Sequence, residues 1–254
     1  MKIGEGGQNM GEVIAVISGK GGTGKTSVCA AVASCLAAEG KRVLCIDADI
    51  GLRNLDIALG MAELPVLAFT EILEGNYALA DATVHPELPN LFLLTAPSRA
   101  LGQKIDEKAF ACLLQEAREQ FDFCLIDSAA GIGDGFRLAT EAADRYMIVC
   151  TPDPASLRDA ACAADLLELR GRRDVRLVVN RVSPRMFSRM ELTVDDIMDN
   201  VGLPLLGLVP EDPKVVLAAA QGVALIFAAE DGVAEACLRI SRRLRGDYVP
   251  LMKL

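Results

Sequence analysis

Short apolar runs recur along the chain, and polar residues do not alternate with apolar ones inside them. Seven such runs lie at 12–18, 42–48, 90–96, 122–128, 146–152, 176–182 and 205–210. Strands of a parallel sheet that is covered by helices on both faces are apolar throughout, whereas half-exposed strands alternate. The pattern therefore predicts an α/β fold with a doubly wound, mainly parallel sheet of seven or eight strands and right-handed crossovers.

The segments between these runs have the periodicity and end signals of helices. Residues 26–40 place an apolar stripe on one side and end at Gly40, in the position of a helix C-cap glycine. Residues 106–120 begin at Asp106, with acids in the first turn. The stripe of the first helix consists of Val28, Val32, Cys35 and Leu36. The least regular segment, 61–90, is expected to wrap the edge of the sheet.

The last helical segment, 231–245, has one apolar and one basic side. The apolar side consists of Val233, Cys237, Ile240 and Leu244, and the basic side of Arg239, Arg242, Arg243 and Arg245. Packing on the sheet with a solvated basic face is favoured over insertion into a membrane. We expect one domain over 1–254, with a flexible N-terminal segment at 1–11 and the C-terminal helix and a short tail at 231–254.

Composition narrows the class of protein. The chain has 254 residues and a net charge of −9, which argues against a surface that binds nucleic acid indiscriminately. The eight cysteines stand singly, without a C-x-x-C pair, and are expected to be small buried side chains in a reducing compartment. The lone histidine, His85, is expected to be a loop residue. Without a secretory signal or an apolar tract of about 20 residues, the chain is expected to be cytoplasmic.

A phosphate-binding motif follows the first apolar run. The stretch GKGGTGKT, from Gly19 to Thr26, fits G-x-x-x-x-G-K-[ST] and lies between a strand and a helix, as that motif requires. Its glycines let backbone N–H groups turn toward phosphate oxygens, and the helix N-terminus adds partial positive charge. Lys25 is expected to bridge the β- and γ-phosphates of ATP and Thr26 to coordinate Mg²⁺. The predicted nucleotide contacts here are Gly21, Gly22, Thr23, Gly24, Lys25, Thr26 and Ser27.

Two further strands end in acids. Asp47 and Asp49 lie at the end of the second apolar run, and Asp127 lies at the end of the fourth, as a Walker-B aspartate does. Ligands of parallel α/β sheets lie at the carboxyl ends of the strands, so these acids are expected to face the nucleotide. Lys20 is a second lysine in the phosphate loop, and its plain interpretation is a solvated loop residue.

Together these motifs resemble the MinD/ParA family of deviant Walker-A ATPases, over about residues 12–248. The motif IGLRNLD, at residues 50–56, resembles the MinD-like members of the family in particular. The resemblance implies a P-loop NTPase fold and ATP and Mg²⁺ as cofactors. It also implies that Lys20 crosses a homodimer interface to reach the nucleotide of the partner subunit.

The resemblance assigns roles to the strand-end residues. Asp49 would orient the attacking water, Asn54 would support it, Asp47 would hold Lys20 or the Mg²⁺ shell, and Asp127 would bind Mg²⁺ through water. Asp47 as a loop cap and Asn54 as a turn or helix cap remain open alternatives. The positions that match the adenine contacts of the family are Asn180, Arg181, Pro210, Glu211 and Asp212, although the first two could equally be an ordinary strand end.

The resemblance implies a dimerising ATPase that acts as a spatial switch in division-site placement. Its partners would be a MinC-like inhibitor, an ATPase-stimulating protein and, peripherally and weakly, the inner face of the cell membrane. The family commonly has proline where Ala129 stands, and a basic amphipathic helix beyond the point where this sequence stops. A more flexible loop at Ala129 and weak membrane affinity are therefore expected.

Proteins with other functions share this fold and some of these motifs. A ParA-like partitioning ATPase and a flagellar-placement homologue share the nucleotide motifs and remain alternatives. An iron–sulfur carrier is disfavoured because the segment after Asp127 contains no cysteine, and a tyrosine kinase because the chain has only three tyrosines.

Overall fold

The computed structural model describes residues 10–50, 52–97 and 105–252. The strands are β1 Glu12–Ile17, β2 Val43–Ala48, β3 Thr83–Val84, β4 Leu91–Leu94, β5 Phe123–Ser128, β6 Arg145–Cys150, β7 Val175–Val182 and β8 Leu205–Pro210. The helices are α1 Lys25–Ala38, α2 Leu55–Ala58, α3 Phe69–Leu73, α4 Glu107–Gln120, α5 Asp134–Glu141, α6 Pro154–Leu169, α7 Pro184–Met190, α8 Val194–Val201, α9 Lys214–Gln221, α10 Leu225–Ala228 and α11 Val233–Leu244. The predicted flexible segment 1–11 lies outside the described residues except for Met10 and Gly11.

The strands form one sheet in the order β3-β4-β2-β5-β1-β6-β7-β8. Every pairing is parallel except that of β3 with β4. The seven apolar runs of the sequence are the seven other strands, so the mainly parallel sheet is confirmed. The pattern missed β3, because a strand of two residues contains no apolar run.

Two apolar layers cover the two faces of this sheet. One layer contains Phe110 of α4 and Phe136 of α5, and the other contains Leu36 of α1 and Ile240 of α11. These four side chains are at most 1% exposed. Helices therefore lie on both faces, which explains why apolar residues occupy consecutive positions along the strands.

Helix α1 is more deeply buried than its sequence predicts. The predicted stripe faces the core, but residues on the other side of α1, such as Ala30 and Ser34, are also buried. Helix α11 packs on α1 and on β8 and covers them. The helix ends as predicted, with Gly40 at φ +83°.

The segment 61–90 follows the sheet edge, as predicted, through α3, a 3-10 turn at Leu79–Asp81 and the edge strand β3. His85 lies in the loop after β3 but is only 3% exposed. Its Nδ1 accepts hydrogen bonds from the N–H groups of Glu87 and Leu88, so Nε2 is the donor to the Leu59 carbonyl at 2.9 Å. His85 is thus a buried tether between this loop and the end of α2.

The C-terminal helix packs on the protein. Its four predicted apolar residues are buried, and its arginines are bonded within the chain: Arg239 to Glu235 and the Pro250 carbonyl, Arg242 to Glu39, Arg243 to the Leu206 and Val249 carbonyls, and Arg245 to Glu39 and Asp247. No helix of the described residues has both the length and the apolar character needed to span a bilayer.

Six of the eight cysteines are buried, while Cys112 and Cys162 are exposed. All eight are free thiols. Burial raises the pKa of Cys35 and of Cys150 to about 12, so these thiols stay protonated and unreactive. The expectation of small buried side chains therefore holds for most of the cysteines and fails for the two on helix surfaces.

Candidate nucleotide-binding site

The site is built at the carboxyl ends of three adjacent parallel strands. β5 lies between β1 and β2, and in this register Asp127 stands opposite both Val16 and Asp47. The strand-end acids of β2 and β5 therefore meet beside the loop that follows β1. This is the edge of a parallel sheet at which ligands bind.

The phosphate loop joins β1 to α1 through glycines with positive φ. Gly22 and Gly24 have φ angles of +81° and +83°, which side chains other than glycine rarely adopt. A Cβ at Gly21 or Gly22 would meet nothing within 4 Å, so the outer side of this loop is open. Helix α1 begins at Lys25 directly after the loop, so its first N–H groups and the positive end of its dipole face this opening.

Three of the predicted phosphate and metal residues are in contact. The Nζ of Lys25 lies 2.5 Å from Asp127 Oδ1, and the hydroxyl of Thr26 donates to Asp127 Oδ2 at 2.7 Å. Asp127 and Lys25 are 1% and 6% exposed. Burial raises the pKa of Asp127, while Lys25 and Thr26 oppose the rise by stabilising the anion. Removing one partner of such a buried pair leaves an uncompensated charge, so the cluster is strongly coupled.

Asp47 shapes the loop that follows β2. One carboxylate oxygen accepts the N–H of Asp49 at 3.0 Å, and the other accepts those of Asn54 and Leu55 at 3.1 and 3.0 Å. Burial and the charge of Asp127 raise the pKa of Asp47 despite these bonds. These contacts are those of the loop-cap alternative. Lys20 is bonded to Asp153 and not to Asp47 in this structure, and a place for Asp47 in the Mg²⁺ shell stays a prediction.

Asp49 and Asn54 lie on this same loop. Asp49 is half-buried, and burial raises its pKa while the charge of Lys25 opposes the rise. Asn54 occupies the N-cap position of α2, but its side chain does not cap the helix. Its amide instead donates to the Leu52 carbonyl at 2.8 Å. The structure thus places Asp49 close enough to Lys25 for the two charges to interact, and Asn54 further out on the surface.

Lys20 points to a different acid from the one predicted. Its Nζ lies 2.8 Å from Oδ1 of Asp153, the N-cap residue of α6. The backbone carbonyl of Lys20 accepts a hydrogen bond from Ser18 Oγ at 3.0 Å. No local pattern in the sequence signals this pair, since its members are 133 residues apart. Asp153 is therefore a site residue that the sequence reasoning missed.

The five predicted adenine positions line one cavity of about 580 Å³ beside the phosphate loop. Asn180 donates from its side-chain amide to the Thr23 carbonyl at 2.7 Å. Arg181 has a φ of +55°, at an irregularity in the pairing of β7 with β8. The cavity also has apolar walls that the sequence did not predict, from Val28 of α1, Val215 and Val216 of α9, Leu225 of α10 and Val233 and Cys237 of α11.

The residues present fit a nucleoside triphosphate. The hydroxyl oxygen of Thr23 is buried and has no hydrogen-bond partner among the described residues, and the loop around it presents helix-start N–H groups. The Thr26 hydroxyl and the Asp127 carboxylate supply the hard oxygen ligands that Mg²⁺ prefers. The described residues contain no cluster of three or more His, Cys, Asp or Glu able to hold a metal alone. This suits Mg²⁺, which is commonly held by one or two protein oxygens together with phosphates.

The fold and this loop define a P-loop nucleotide-binding protein. Residues 14–226 match the family model described as the CobQ/CobB/MinD/ParA nucleotide binding domain. The septum site-determining protein MinD of Thermotoga maritima is 37% identical over 95% of this chain and 91% of its own length. The chain belongs to this family, and within it to the MinD-like proteins of division-site placement.

Solved structures agree with this assignment. The MinC:MinD cell division protein complex of Aquifex aeolicus contains a chain that superposes with a TM-score of 0.88 at 36% identity, covering 95% of this chain and 98% of that one. The septum site-determining MinD of Pyrococcus horikoshii, in complex with Mg-ADP, has a TM-score of 0.81 at 26% identity, covering 92% and 96%. The P-loop NTPase fold of the MinD/ParA family is therefore confirmed.

Proposed function

We propose that this protein is a Mg²⁺-dependent ATPase, folded as one domain, that dimerises on ATP and switches the location of a division inhibitor. The contact of Lys25 and Thr26 with Asp127 carries the proposal. It brings the loop that binds phosphate and the acid that binds Mg²⁺ into one buried cluster.

Each residue of the cluster has a task in hydrolysis. Lys25 and the N–H groups at the start of α1 would hold the β- and γ-phosphates, because catalysis of phosphoryl transfer depends on positioning and on positive charge. Mg²⁺, when bound by Thr26 and Asp127, would neutralise the phosphate oxygens. Asp49 would orient the attacking water, and Lys20 of the partner subunit would bring a further cation to the phosphates.

The base would lie in the cavity between the phosphate loop and α9. Asn180 donates a hydrogen bond to the phosphate loop, so one residue would contact the base and also help to position the loop that binds the phosphates. Arg181, Pro210, Glu211 and Asp212 would complete the polar rim. Val215 and Val216 would supply an apolar wall for the adenine ring.

A MinC-like inhibitor is the proposed cargo of the ATP-bound dimer, with a second partner that stimulates hydrolysis. The superposition on the MinD chain of the Aquifex aeolicus complex supports the first partner. Membrane contact would be peripheral, on the cytoplasmic face, and weak in each subunit, since the arginines of α11 are bonded within the chain. Two tails on one dimer would bind more strongly than one.

Phosphate release with ATP, in the presence of Mg²⁺ or of EDTA, tests the enzymatic part. We expect release that requires Mg²⁺ and is lost in Lys25→Ala. Co-sedimentation with anionic phospholipid vesicles in ATP and in ADP tests the membrane part. Pelleting in ATP alone supports a membrane-cycling switch, and pelleting in neither nucleotide contradicts membrane recruitment by the protein itself.

A further inference from the structure

A buried threonine continues the row of strand-end acids. Asp127 stands opposite Asp47 in the pairing of β5 with β2. On the other side of β2, Ile46 is paired with Leu94 of β4. The next position along both strands sets Thr95 beside Asp47. Asp127, Asp47 and Thr95 are 1%, 0% and 0% exposed. Three neighbouring strands therefore end in buried polar side chains, and Thr95 is the one without a role in the proposed reaction.

The Thr95 side chain lies on the same face of the sheet as the Asp47 carboxylate. Cys45 and Leu93, two positions before each of them, belong to the apolar layer that contains α1. The intervening residues of both strands belong to the opposite layer. Side chains alternate between the two faces of a strand, so Asp47 and Thr95 both point toward the layer of α1.

The hydroxyl oxygen of Thr95 is buried and has no hydrogen-bond partner among the described residues. The backbone on either side of it is fixed, because the N–H of Thr95 donates to the Leu67 carbonyl and its carbonyl accepts the N–H of Phe69, both at 2.9 Å. A buried hydroxyl without a partner costs free energy, and ordered water commonly supplies the partner.

Asp47 has an acceptor position for such a water. Its Oδ2 accepts the N–H groups of Asn54 and Leu55, whereas its Oδ1 accepts only that of Asp49 among the described residues. A carboxylate oxygen can accept two hydrogen bonds, so Oδ1 has room for one more donor. One water between Thr95 and Oδ1 would satisfy both groups, and a buried anion gains more from a donor than an exposed one does.

We propose that Thr95 is a positioning residue, linked to Asp47 Oδ1 by one buried water, that holds the loop carrying Asp49 in place for hydrolysis. The inference rests on the proposed function, in which Asp49 orients the attacking water. Asp47 bonds to the N–H groups at both ends of this loop, so a carboxylate held by one more hydrogen bond keeps Asp49 in a narrower range of positions. Thr95 acts through Asp47 and contacts neither nucleotide nor metal.

The test is the Thr95→Val variant, which keeps the shape of the side chain and removes the hydroxyl. Without nucleotide, hydrogen–deuterium exchange at the N–H groups of Asp49, Asn54 and Leu55 should be roughly five-fold faster, because Asp47 holds them less firmly. Thr95→Ser keeps the hydroxyl and should exchange at the wild-type rate.

Thr140→Val is the matched control. Thr140 is 1% exposed, and its hydroxyl donates to the Phe136 carbonyl within α5, in the opposite apolar layer. The variant removes a buried threonine hydroxyl and should leave exchange in the loop after β2 unchanged. Faster exchange of this loop in both valine variants would overturn the proposal, because the effect would then be general destabilisation.

Thermal unfolding separates the positioning role from that of an unpaired hydroxyl. If the hydroxyl of Thr95 has no partner in solution, valine removes a buried unsatisfied group, and Tm should rise while exchange at Asp49 stays at the wild-type rate. That result would overturn the proposal.

Hydrolysis gives a second readout. In Thr95→Val, kcat should fall roughly five-fold while KM for ATP changes by less than about two-fold, because Lys25 and Thr26 still hold the phosphates. Thr95→Ser should restore kcat. Faster loop exchange with a wild-type kcat would remove Thr95 from the reaction and overturn the proposal. If the wild type releases no phosphate from ATP, the proposed function fails at that step, and the exchange measurement still decides whether Thr95 holds the loop.

Discussion

The side-chain amide of Asn180 lies 2.7 Å from the carbonyl oxygen of Thr23, which ties the end of β7 to the phosphate loop. A Cβ at the neighbouring Gly24 would lie 2.2 Å from the same amide nitrogen. The loop and this asparagine are therefore fitted to one another with no space for a larger residue at Gly24.

Asn180→Ala should weaken ATP binding without unfolding the protein. The Thr23 carbonyl would lose its side-chain partner, and an unsatisfied buried group costs about 1–3 kcal/mol, or roughly 5- to 150-fold in affinity. Titration calorimetry with ATP measures the change. Asn200→Ala, at an exposed position at the end of α8, is the control. Equal affinity in Asn180→Ala and the wild type would show that the hydrogen bond from Asn180 to Thr23 does not position the loop for ATP.

Asp49→Ala should keep ATP binding and slow hydrolysis, because it removes the group proposed to orient water and leaves Lys25 and Thr26 in place. The variant should therefore accumulate as a dimer in Mg-ATP. Phosphate release and light scattering on the same samples check both parts. Hydrolysis at the wild-type rate would remove Asp49 from the mechanism.

Lys20→Ala should weaken the ATP-dependent dimer, since the cation proposed to cross the interface is lost. Lys108→Ala, which removes an exposed lysine from α4, should not. Light scattering in Mg-ATP over a concentration series gives the comparison. An unchanged dimer mass in Lys20→Ala would return this lysine to the role of a solvated loop residue.

His85 should make stability depend on pH. Burial lowers the pKa of His85 below its usual value, and the bonds to the loop require the neutral ring. The unfolded chain then binds more protons than the folded one as pH falls below about 6.5, so stability is lost on acidification. Thermal unfolding from pH 8 to pH 5 should show a smaller drop in Tm for His85→Asn than for the wild type. Parallel curves would contradict the lowered pKa.

Gly207 and Ile240 should be coupled through the packing of α11 on β8. A Cβ at Gly207 would lie 2.4 Å from Cγ1 of Ile240 but 3.8 Å from its Cβ. Gly207→Ala should therefore destabilise by about 1–3 kcal/mol through overpacking. The same change in an Ile240→Ala background should cost little, because alanine lacks the clashing atoms. Urea unfolding of the four proteins gives the coupling, and additive effects would mean that α11 does not pack on β8 as described.

The sequence predicted the parts of the site that follow from strand order. Asp47 and Asp127 end apolar runs, and parallel strands bring their carboxyl ends to one edge, so their proximity needed no knowledge of side-chain positions. The β7 and β8 side of the cavity beside the phosphate loop was predicted from the resemblance to the family, at the ends of two later strands. The walls that the helices contribute to this cavity were not predicted, because nothing in the apolar pattern of α11 shows which end of the sheet the helix covers.

The partner of Lys20 could not be predicted in this way. Asp47 is nearer in sequence and stands at the expected strand end, but the N–H groups of its own loop already bond to both of its carboxylate oxygens. Asp153 is available because Gly19 lets α6 approach the phosphate loop closely. A contact set by the packing of two elements far apart in the chain leaves no local signal in the sequence.

The most direct measurement is the mass of the Asp49→Ala variant by light scattering in Mg-ATP and in Mg-ADP. The account predicts twice the chain mass of 27.0 kDa in ATP and a single chain in ADP. One chain in both nucleotides, with ATP binding shown by calorimetry, would contradict the proposal that ATP joins two subunits through Lys20.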